Sequence, residues 1–340
     1  MEYRNIGDTD MRVSVLGMGC SRLGRSVFED NRKQSRVLLE NAFDAGINFY
    51  DTAPNYAYGD SERILGDVFA SRRDQVVIAT KGGYRYSSSA RYVRYLLPVI
   101  GPFRGMLGRK RSQLKRRSRK RQDFSPRFLR RNLEQSLRRL RTDYVDLYQL
   151  HSPSANAIQS DDVLRFLEDS IRDGKVRYAA ASVTTVAEAL LCLRNPVYAS
   201  LQIGFNLAEQ APATGVFPAA GSRGVGVIVK MPLARGLLTD NYRVMTGPAP
   251  EQYDRELQDR RRQALDFLVS GSHLSVETAS LRFIMDHRDV ASVLIGTTST
   301  DHLRNNLQAV EAGPLPEDIM IRARALQEFD WAFAPLQSGD

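Results

Sequence analysis

Short apolar runs recur along the chain, each closed by glycine or polar residues and separated from the next by a stretch with helical spacing. Bounded apolar runs of this length read as buried strands, and apolar positions at i, i+3 and i+4 read as amphipathic helices. The strand-like runs are SVLGM, INFY, VVIAT, VDLYQL, VRYAAA, SLQIGF, VGVIVK and SVLIG. Ahead of them, EYRNI and MRVSVLG flank the turn-like GDTD and predict a short hairpin. Two of the helices between strands are legible in detail. NRKQSRVLLENAFDAG ends at a glycine stop. SPRFLRRNLEQSLRRL opens with Ser125 as N-cap and Pro126 in the first turn, and carries Leu129, Leu133, Leu137 and Leu140 on one face with arginines opposite.

Eight such units predict an α/β fold, a (β/α)8 TIM barrel with a short N-terminal β-hairpin, as one domain over residues 1–340. In that fold the catalytic groups gather at the carboxyl ends of the strands. Two stretches exceed the repeat. One is a large insert, about 85–122, after the third strand, and the other runs from roughly 238 to 275 between the seventh and eighth strands. Both are expected as loops on the catalytic face.

The net charge of +9 suggests nucleic-acid binding until it is located. Residues 109–121 (RKRSQLKRRSRKR) hold nine Lys or Arg and no acid, so the rest of the chain is balanced. No Asp or Glu occurs from Gln75 to Gln122, and RYVRYLLPVIGPFRGML mixes apolar residues with arginines. A stretch of this kind suits an anionic surface or an acidic partner through residues 104–121, or remains a solvated loop. No specific nucleic-acid motif accompanies it. The start of the chain has no basic segment followed by a long apolar one, and no run is long enough to span a membrane. Cys20 and Cys192 are too few and too far apart for a disulfide framework or a metal site. A cytoplasmic protein without a bound metal is expected.

The candidate chemistry lies where strands end. Asp51 and Tyr56 follow INFY, Lys81 follows VVIAT and His151 follows LYQL. Singly, an Asp here is a cap, a Tyr is packing and a Lys is a solvated charge. Together at one barrel mouth they make a proton-transfer site. Lysine lowers the phenol pKa by its charge, aspartate holds the lysine, and histidine orients a substrate oxygen. Carbonyl reduction or alcohol oxidation needs such a group, together with a nicotinamide or flavin for the hydride, since no side chain donates one. GMGCSRLG after the first strand does not have the Rossmann spacing, so the cofactor must bind the barrel itself. A mouth lysine also suits Schiff-base chemistry, which spacing leaves open.

The segments GINFYDTAPNYAYGDSERILG, IATKGG, SLRRLRTDYVDLYQLHSP, GKVRYAAAS, LQIGFNL, VGVIVKMPLARGLLT and VLIGTTSTDHLRNNL resemble the aldo-keto reductases over nearly the whole chain except the basic insert and the last dozen or so residues. The resemblance implies an NAD(P)-dependent oxidoreductase of an aldehyde, ketone or sugar, with Tyr56 as general acid/base, Lys81 and Asp51 tuning it and His151 orienting the carbonyl oxygen. The five-residue step from Asp51 selects Tyr56 over Tyr58. It further implies that Ser182 and Gln202 hold the nicotinamide carboxamide and that Leu233 to Gly236, including Arg235, contact the pyrophosphate. Gly296, Thr297, Thr298, Ser299, His302 and Asn306 would meet the adenosine-phosphate end. Three departures stand out: Val183 where asparagine often follows the serine, Lys230 where an aromatic commonly stacks on nicotinamide, and no Arg or Lys in GTTST. A lysine at 230 can pack its stem on a ring and aim its charge at a phosphate. NADP(H) is favoured over NAD(H). The lost stacking residue and the insert favour an alternative, a regulatory or partner-binding barrel that keeps its cofactor; the four intact polar positions favour the enzyme.

Overall fold

The computed structural model describes residues 1–24, 31–85, 121–239, 251–272, 274–329 and 331, with only the backbone described at 121, 251–259, 261 and 262. The hairpin β1 (Tyr3–Asn5) and β2 (Arg12–Ser14) is antiparallel, with Arg4 opposite Val13. The barrel strands are β3 (Leu16–Gly19), β4 (Phe49–Asp51), β5 (Val77–Gly82), β8 (Val145–His151), β9 (Val176–Ser182), β10 (Tyr198–Gly204), β11 (Gly226–Lys230) and β12 (Val290–Ile295). They close in sequence order, and every neighbouring pair is parallel, β12 returning to β3. The eight strands correspond to the eight apolar runs. Two short strands, β6 (Tyr84–Arg85) and β7 (Arg121–Gln122), pair antiparallel and clasp the two ends of the insert. The basic run between them lies outside the described residues.

Side chains alternate across each strand, so the barrel has two separate apolar layers. Inside, Phe49, Val77, Ala79, Leu147, Ala180 and Ile228 form one cluster with Ile6, Met11 and Val13. The hairpin thus plugs the amino-terminal end of the lumen. Outside, the other face of each strand meets the helices in a larger cluster that includes Tyr50, Ile78, Tyr148, Leu150 and Ile203. The helix Pro126–Leu140 buries Leu129, Leu133, Leu137 and Leu140, as its spacing predicts. Ser125 occupies its N-cap with extended backbone, but the hydroxyl makes no capping bond; the Asp123 carboxylate accepts the Ser125 amide instead at 2.9 Å. Arg139 on this helix donates to Glu62 Oε2 at 2.5 Å, and Thr80 donates to Glu62 Oε1 at 2.7 Å. That buried ion pair ties two helices to the strand residue next to Lys81.

The stretch 238–275 departs from expectation. It holds the long helix Glu251–Ser272, with Leu265, Phe267 and Leu268 buried, and Arg322 from helix Glu317–Ala325 lies over the Phe267 ring at 4.3 Å. An apolar stripe that a loop would leave wet packs here as part of the outer layer, so around Leu265 to Leu268 this stretch thickens the wall; its residues 240–250 lie outside the described residues. Among the described residues no helix is long and apolar enough to cross a membrane.

The helices Asp60–Phe69 and Pro126–Leu140 touch through Gly66. A Cβ there would lie 2.6 Å from the Arg139 carbonyl oxygen and 2.7 Å from that of Leu140, both rigid backbone. Alanine gains about 1 kcal/mol of helix propensity over glycine, whereas overpacking a rigid contact costs about 1–3 kcal/mol. Gly66→Ala is expected to lower stability by about 1–2 kcal/mol in urea denaturation; an unchanged or higher midpoint would show that the helices separate freely.

Candidate active site

The period of two decides which side chains reach the mouth. On the lumen face β4 steps from Phe49 to Asp51, β5 from Ala79 to Lys81, β8 from Leu147 through Gln149 to His151, β9 from Ala180 to Ser182, and β11 from Ile228 to Lys230. Each step runs from an apolar floor to a polar rim. Asp51 and His151 are the last residues of their strands and Lys81 lies within β5, so these groups are held by ladder hydrogen bonds rather than by loops. Tyr56 follows in a 3-10 turn, Tyr56–Gly59, where Ala57 and Tyr58 both take positive φ.

Asp51 is the centre of the site. It is 3% exposed, and its Oδ2 accepts from Lys81 Nζ at 2.5 Å. Its Oδ1 accepts from Gln149 Nε2 at 2.7 Å and from Gln202 Nε2 at 2.9 Å. Lys81 donates further to the Thr52 carbonyl at 3.0 Å, and its Nζ lies 5.1 Å from the Tyr56 ring centre. His151 stands edge-on to Tyr56 at 6.1 Å between ring centres and to Tyr84 at 4.7 Å. Across the mouth, Ser182 Oγ donates to Gln202 Oε1 at 2.8 Å and accepts from Lys230 Nζ at 3.1 Å. The Lys230 ammonium therefore points onto Ser182. Val183 gives its backbone N–H to the Gln202 carbonyl at 2.9 Å.

Electrostatics separates the roles. Burial opposes the Lys81 charge, but Asp51 and Tyr56 outweigh it, and the pKa stands above the ordinary lysine value. A lysine pinned in its charged form is a poor Schiff-base nucleophile. Burial raises the Tyr56 pKa, Lys81 pulls it down and Asp51 adds to the rise, and the net direction is upward. The expected lowering by lysine is reversed because burial outweighs it. The Cys20 thiol is pushed up by burial and by Asp51, so it stays protonated and inert. Among the described residues no group of His, Cys, Asp or Glu could hold a metal.

Strain concentrates around this mouth. Of seven described non-glycine residues with positive φ, six flank it: Ala57, Tyr58, Ser152, Met231, Ala234 and Arg235. Such backbone costs about 1–3 kcal/mol per residue and persists only where surrounding bonds enforce it. Here Gln122 Nε2 donates to the Ser152 carbonyl at 2.7 Å and Asn206 Nδ2 to the Met231 carbonyl at 3.1 Å.

The model of the Aldo/keto reductase family matches residues 15–328. The chain belongs to that family. Similar proteins include the uncharacterized oxidoreductase YqkF of Bacillus subtilis (strain 168), 28% identical over 323 residues and 94% of each chain. The NADH-specific methylglyoxal reductase of Escherichia coli (strain K12) is 24% identical over 90% of this chain and 92% of its own. The holo form of aldo-keto reductase AKR11C1 from Bacillus halodurans has a TM-score of 0.74 and 27% identity, covering 96% of both chains. As an aldo/keto reductase the protein is an NAD(P)-dependent oxidoreductase acting on carbonyl groups.

The residues present fit a nicotinamide cofactor. Gln149 Oε1 is buried without a partner beside Asp51, and the Ser182 hydroxyl and Gln202 amide offer both donor and acceptor at the rim. The loops after the neighbouring strands β11 and β12 carry the remaining candidates. In the first, Leu233 is half-buried and Arg235 exposed, and Gly236 has φ +99 with open space around it. In the second, Thr297 accepts from the Ser299 amide at 3.0 Å, and Ser299 caps the helix Thr300–Glu311 by accepting from the His302 amide at 3.4 Å. Gly296, Thr298 and His302 are exposed and Asn306 is buried. Sequence reasoning missed Gln149, Tyr84 and Gln122. Gln149 was readable, two residues before His151 on the same strand face; the other two reach the site through the β6–β7 clasp, which has no sequence signature.

Asp51→Asn removes the counter-charge of Lys81. Leaving a buried charge unpaired costs about 3–5 kcal/mol, so the variant is expected to be destabilised near neutral pH. The sign with pH also changes. In the wild type the raised Lys81 pKa stabilises the fold below the unfolded lysine pKa and is lost as pH rises through the folded one. In the variant the Lys81 pKa falls below the unfolded value, so its deficit should shrink toward about pH 10. Urea titrations at neutral and alkaline pH check this; a constant deficit would contradict it.

Proposed function

We propose that the protein reduces the carbonyl of an aldehyde, ketone or sugar, that Tyr56 delivers the proton, and that one barrel domain over residues 1–340 carries the whole reaction. The observation that supports this most directly is the Lys81 ammonium, bonded to the Asp51 carboxylate and set 5.1 Å from the centre of the Tyr56 ring. When bound, the nicotinamide supplies the hydride. Tyr56 holds its proton firmly because burial raises its pKa, so it is in the acid form that reduction requires. Lys81 stabilises the phenolate left behind, and Asp51 keeps Lys81 charged and in place. His151, held against Tyr56 and Tyr84, orients the substrate oxygen by hydrogen bonding. Ser182 and Gln202 hold the carboxamide, with Leu233 to Gly236 and the segment Gly296 to Ser299 along the rest of the cofactor.

For the coenzyme we propose NADP(H). The positive end of the helix Thr300–Glu311 suits a phosphate, and Arg304 stands in its first turns, paired with Asp301 at 3.0 Å. The E. coli relative is named as NADH-specific, so the choice differs among similar proteins. A cytoplasmic setting rests on two free, buried cysteines. A contact between residues 104–121 and an anionic surface or acidic partner rests on the charge of that run alone and enters no step of the reaction.

Tyr56→Phe is expected to lower kcat for reduction about 10²–10⁴-fold, the usual share of a general acid, while cofactor affinity is kept. Equal turnover of the two proteins across a panel of aldehydes, ketones and sugars would remove Tyr56 from the reaction. Reduction should hold up to alkaline pH, and oxidation, which needs the phenolate, should rise with pH. Fluorescence titration is expected to show tighter binding of NADPH than of NADH, and the reverse order would overturn the coenzyme proposal.

A further inference from the structure

We propose that Lys230 makes the site selective for the redox state of its cofactor: an ammonium at the nicotinamide end disfavours the cationic, oxidised ring far more than the neutral, reduced one, so the reduced cofactor is held and the oxidised one is released. The inference rests on the reading that Ser182 and Gln202 hold the nicotinamide carboxamide, and extends it to the lysine beside them. The overall equilibrium of the reaction is unchanged; what shifts is which form fills the site in a mixed pool.

The strand register puts the charge there. Lys230 ends β11 on the lumen face, and in the ladder with β10 it stands opposite Gly204, as Ile228 stands opposite Gln202. Met231 follows with φ +57, and Asn206 Nδ2 holds its carbonyl at 3.1 Å, so the end of the strand is fixed. The half-buried lysine reaches Ser182 Oγ at 3.1 Å. That contact is compatible with a bound carboxamide. An ammonium has donors only, so Lys230 occupies a lone pair of the Ser182 oxygen and leaves its one proton. Without cofactor that proton goes to Gln202 Oε1 at 2.8 Å. Ser182 can give the same proton to a carboxamide oxygen, and Gln202 Oε1 can accept from a carboxamide N–H, with Gln202 Nε2 still on Asp51 and Lys230 still on Ser182. The ammonium is then separated from the carboxamide by a single hydroxyl.

Little at the mouth cancels this charge. Lys81 from β5 and Asp51 from β4 offset each other at 2.5 Å. Glu188, from the helix Val186–Cys192, accepts from the amides of Thr184 and Thr185 at 2.9 and 3.0 Å. Glu209, from the segment after β10, feels Arg235 as well as Lys230. Among the described residues Lys230 makes no ion pair with any of these carboxylates. The nicotinamide ring is neutral when reduced and carries one positive charge when oxidised. A like charge close to it in a partly desolvated site weakens binding of the cationic form by about tenfold or more. An aromatic side chain at this position would do the reverse, since a ring face attracts a cation. Burial, with Lys81 adding to it, brings Lys230 down to about 8 against the pull of Asp51, Glu188 and Glu209. The discrimination is therefore full at neutral pH and fades as pH rises through that value.

The test is equilibrium binding and needs no turnover. NADPH, NADP+, NADH and NAD+ are titrated calorimetrically into the wild type, Lys230→Met, Lys230→Arg and Ser182→Ala from about pH 6.5 to 9.5, across the range where a lysine lowered by burial titrates. The readout is the ratio of the oxidised to the reduced dissociation constant, in which any loss of folded protein cancels. At neutral pH the wild-type ratio should exceed that of Lys230→Met by about tenfold, and the two should converge at alkaline pH. Lys230→Arg keeps its charge throughout and should hold the ratio high at every pH. Lys230→Met should give a low ratio without pH dependence. At about pH 8 the oxidised cofactor should release more protons on binding the wild type than the reduced one does, read from heats in buffers of different ionisation enthalpy, and the difference should vanish in Lys230→Met.

A charge that acts at the ring end should change the ratio by the same factor in the phosphorylated and unphosphorylated pairs. A Lys230→Met ratio within about twofold of the wild type at neutral pH, far short of a close like-charge repulsion, would overturn the proposal. So would equal weakening of both redox forms with NADP(H) losing more than NAD(H), the pattern of a lysine on a phosphate. Failure of the carboxamide reading gives a different result: Ser182→Ala would then bind all four cofactors as the wild type does. With that reading intact, Ser182→Ala weakens both redox forms and keeps their ratio above that of Lys230→Met.

Discussion

One buried carboxylate organises the mouth of this barrel. Asp51 is nearly free of solvent, and an anion there is stable only if its oxygens are supplied with donors. Lys81, Gln149 and Gln202 supply them from three strands, β5, β8 and β10. The charge on Lys81 is itself possible only because Asp51 lies within hydrogen-bonding distance, and the state of Tyr56 depends on Lys81 in turn. Removing the carboxylate would change the protonation of the rest.

The barrel makes that arrangement affordable. Parallel strands closed into a ring send alternate residues inward, and this chain fills the floor of the lumen with Phe49, Val77, Leu147, Ala180 and Ile228 under a hairpin plug. Water is excluded from below, so the polar rim is open on one side only. The buried Glu62, held by Arg139 and Thr80, anchors β5 from outside the ring. Strained backbone at Ser152, Met231, Ala234 and Arg235 sits where the wall turns into rim loops, and side-chain amides from Gln122 and Asn206 hold two of these points. Rigidity below and strain at the rim are complementary: the first gives the second something to push against.

Much of the site was legible along the chain. Asp51, Lys81 and His151 each close a strand-like run, and once eight such runs predict a barrel, their meeting follows from topology. Gln149 was equally accessible through its two-residue offset from His151. The upward pKa of Tyr56 was not, because it results from a contest between burial and the Lys81 charge that depends on depth. Nor was the aim of Lys230. A lysine stem reaches inward or outward from the same backbone, and only the position of Ser182, from a neighbouring part of the ring, decides which. The stretch 238–275 illustrates the same limit: its apolar residues were visible, but their partner helix, Glu317–Ala325, is distant in sequence.

The sequence by itself determined the alternation of strands and helices, the polar residues Asp51, Lys81 and His151 at the ends of strand-like runs, and the location of the excess positive charge, because these depend on local spacing and on composition. Tertiary structure alone decided which of those polar groups share a proton or a hydrogen bond, since donors and acceptors drawn from β4, β5, β8, β9, β10 and β11 meet only when the ring closes. Hydrogen-bond direction and pKa are set by distances of about 3 Å and by exclusion of water, and neither is written along the chain.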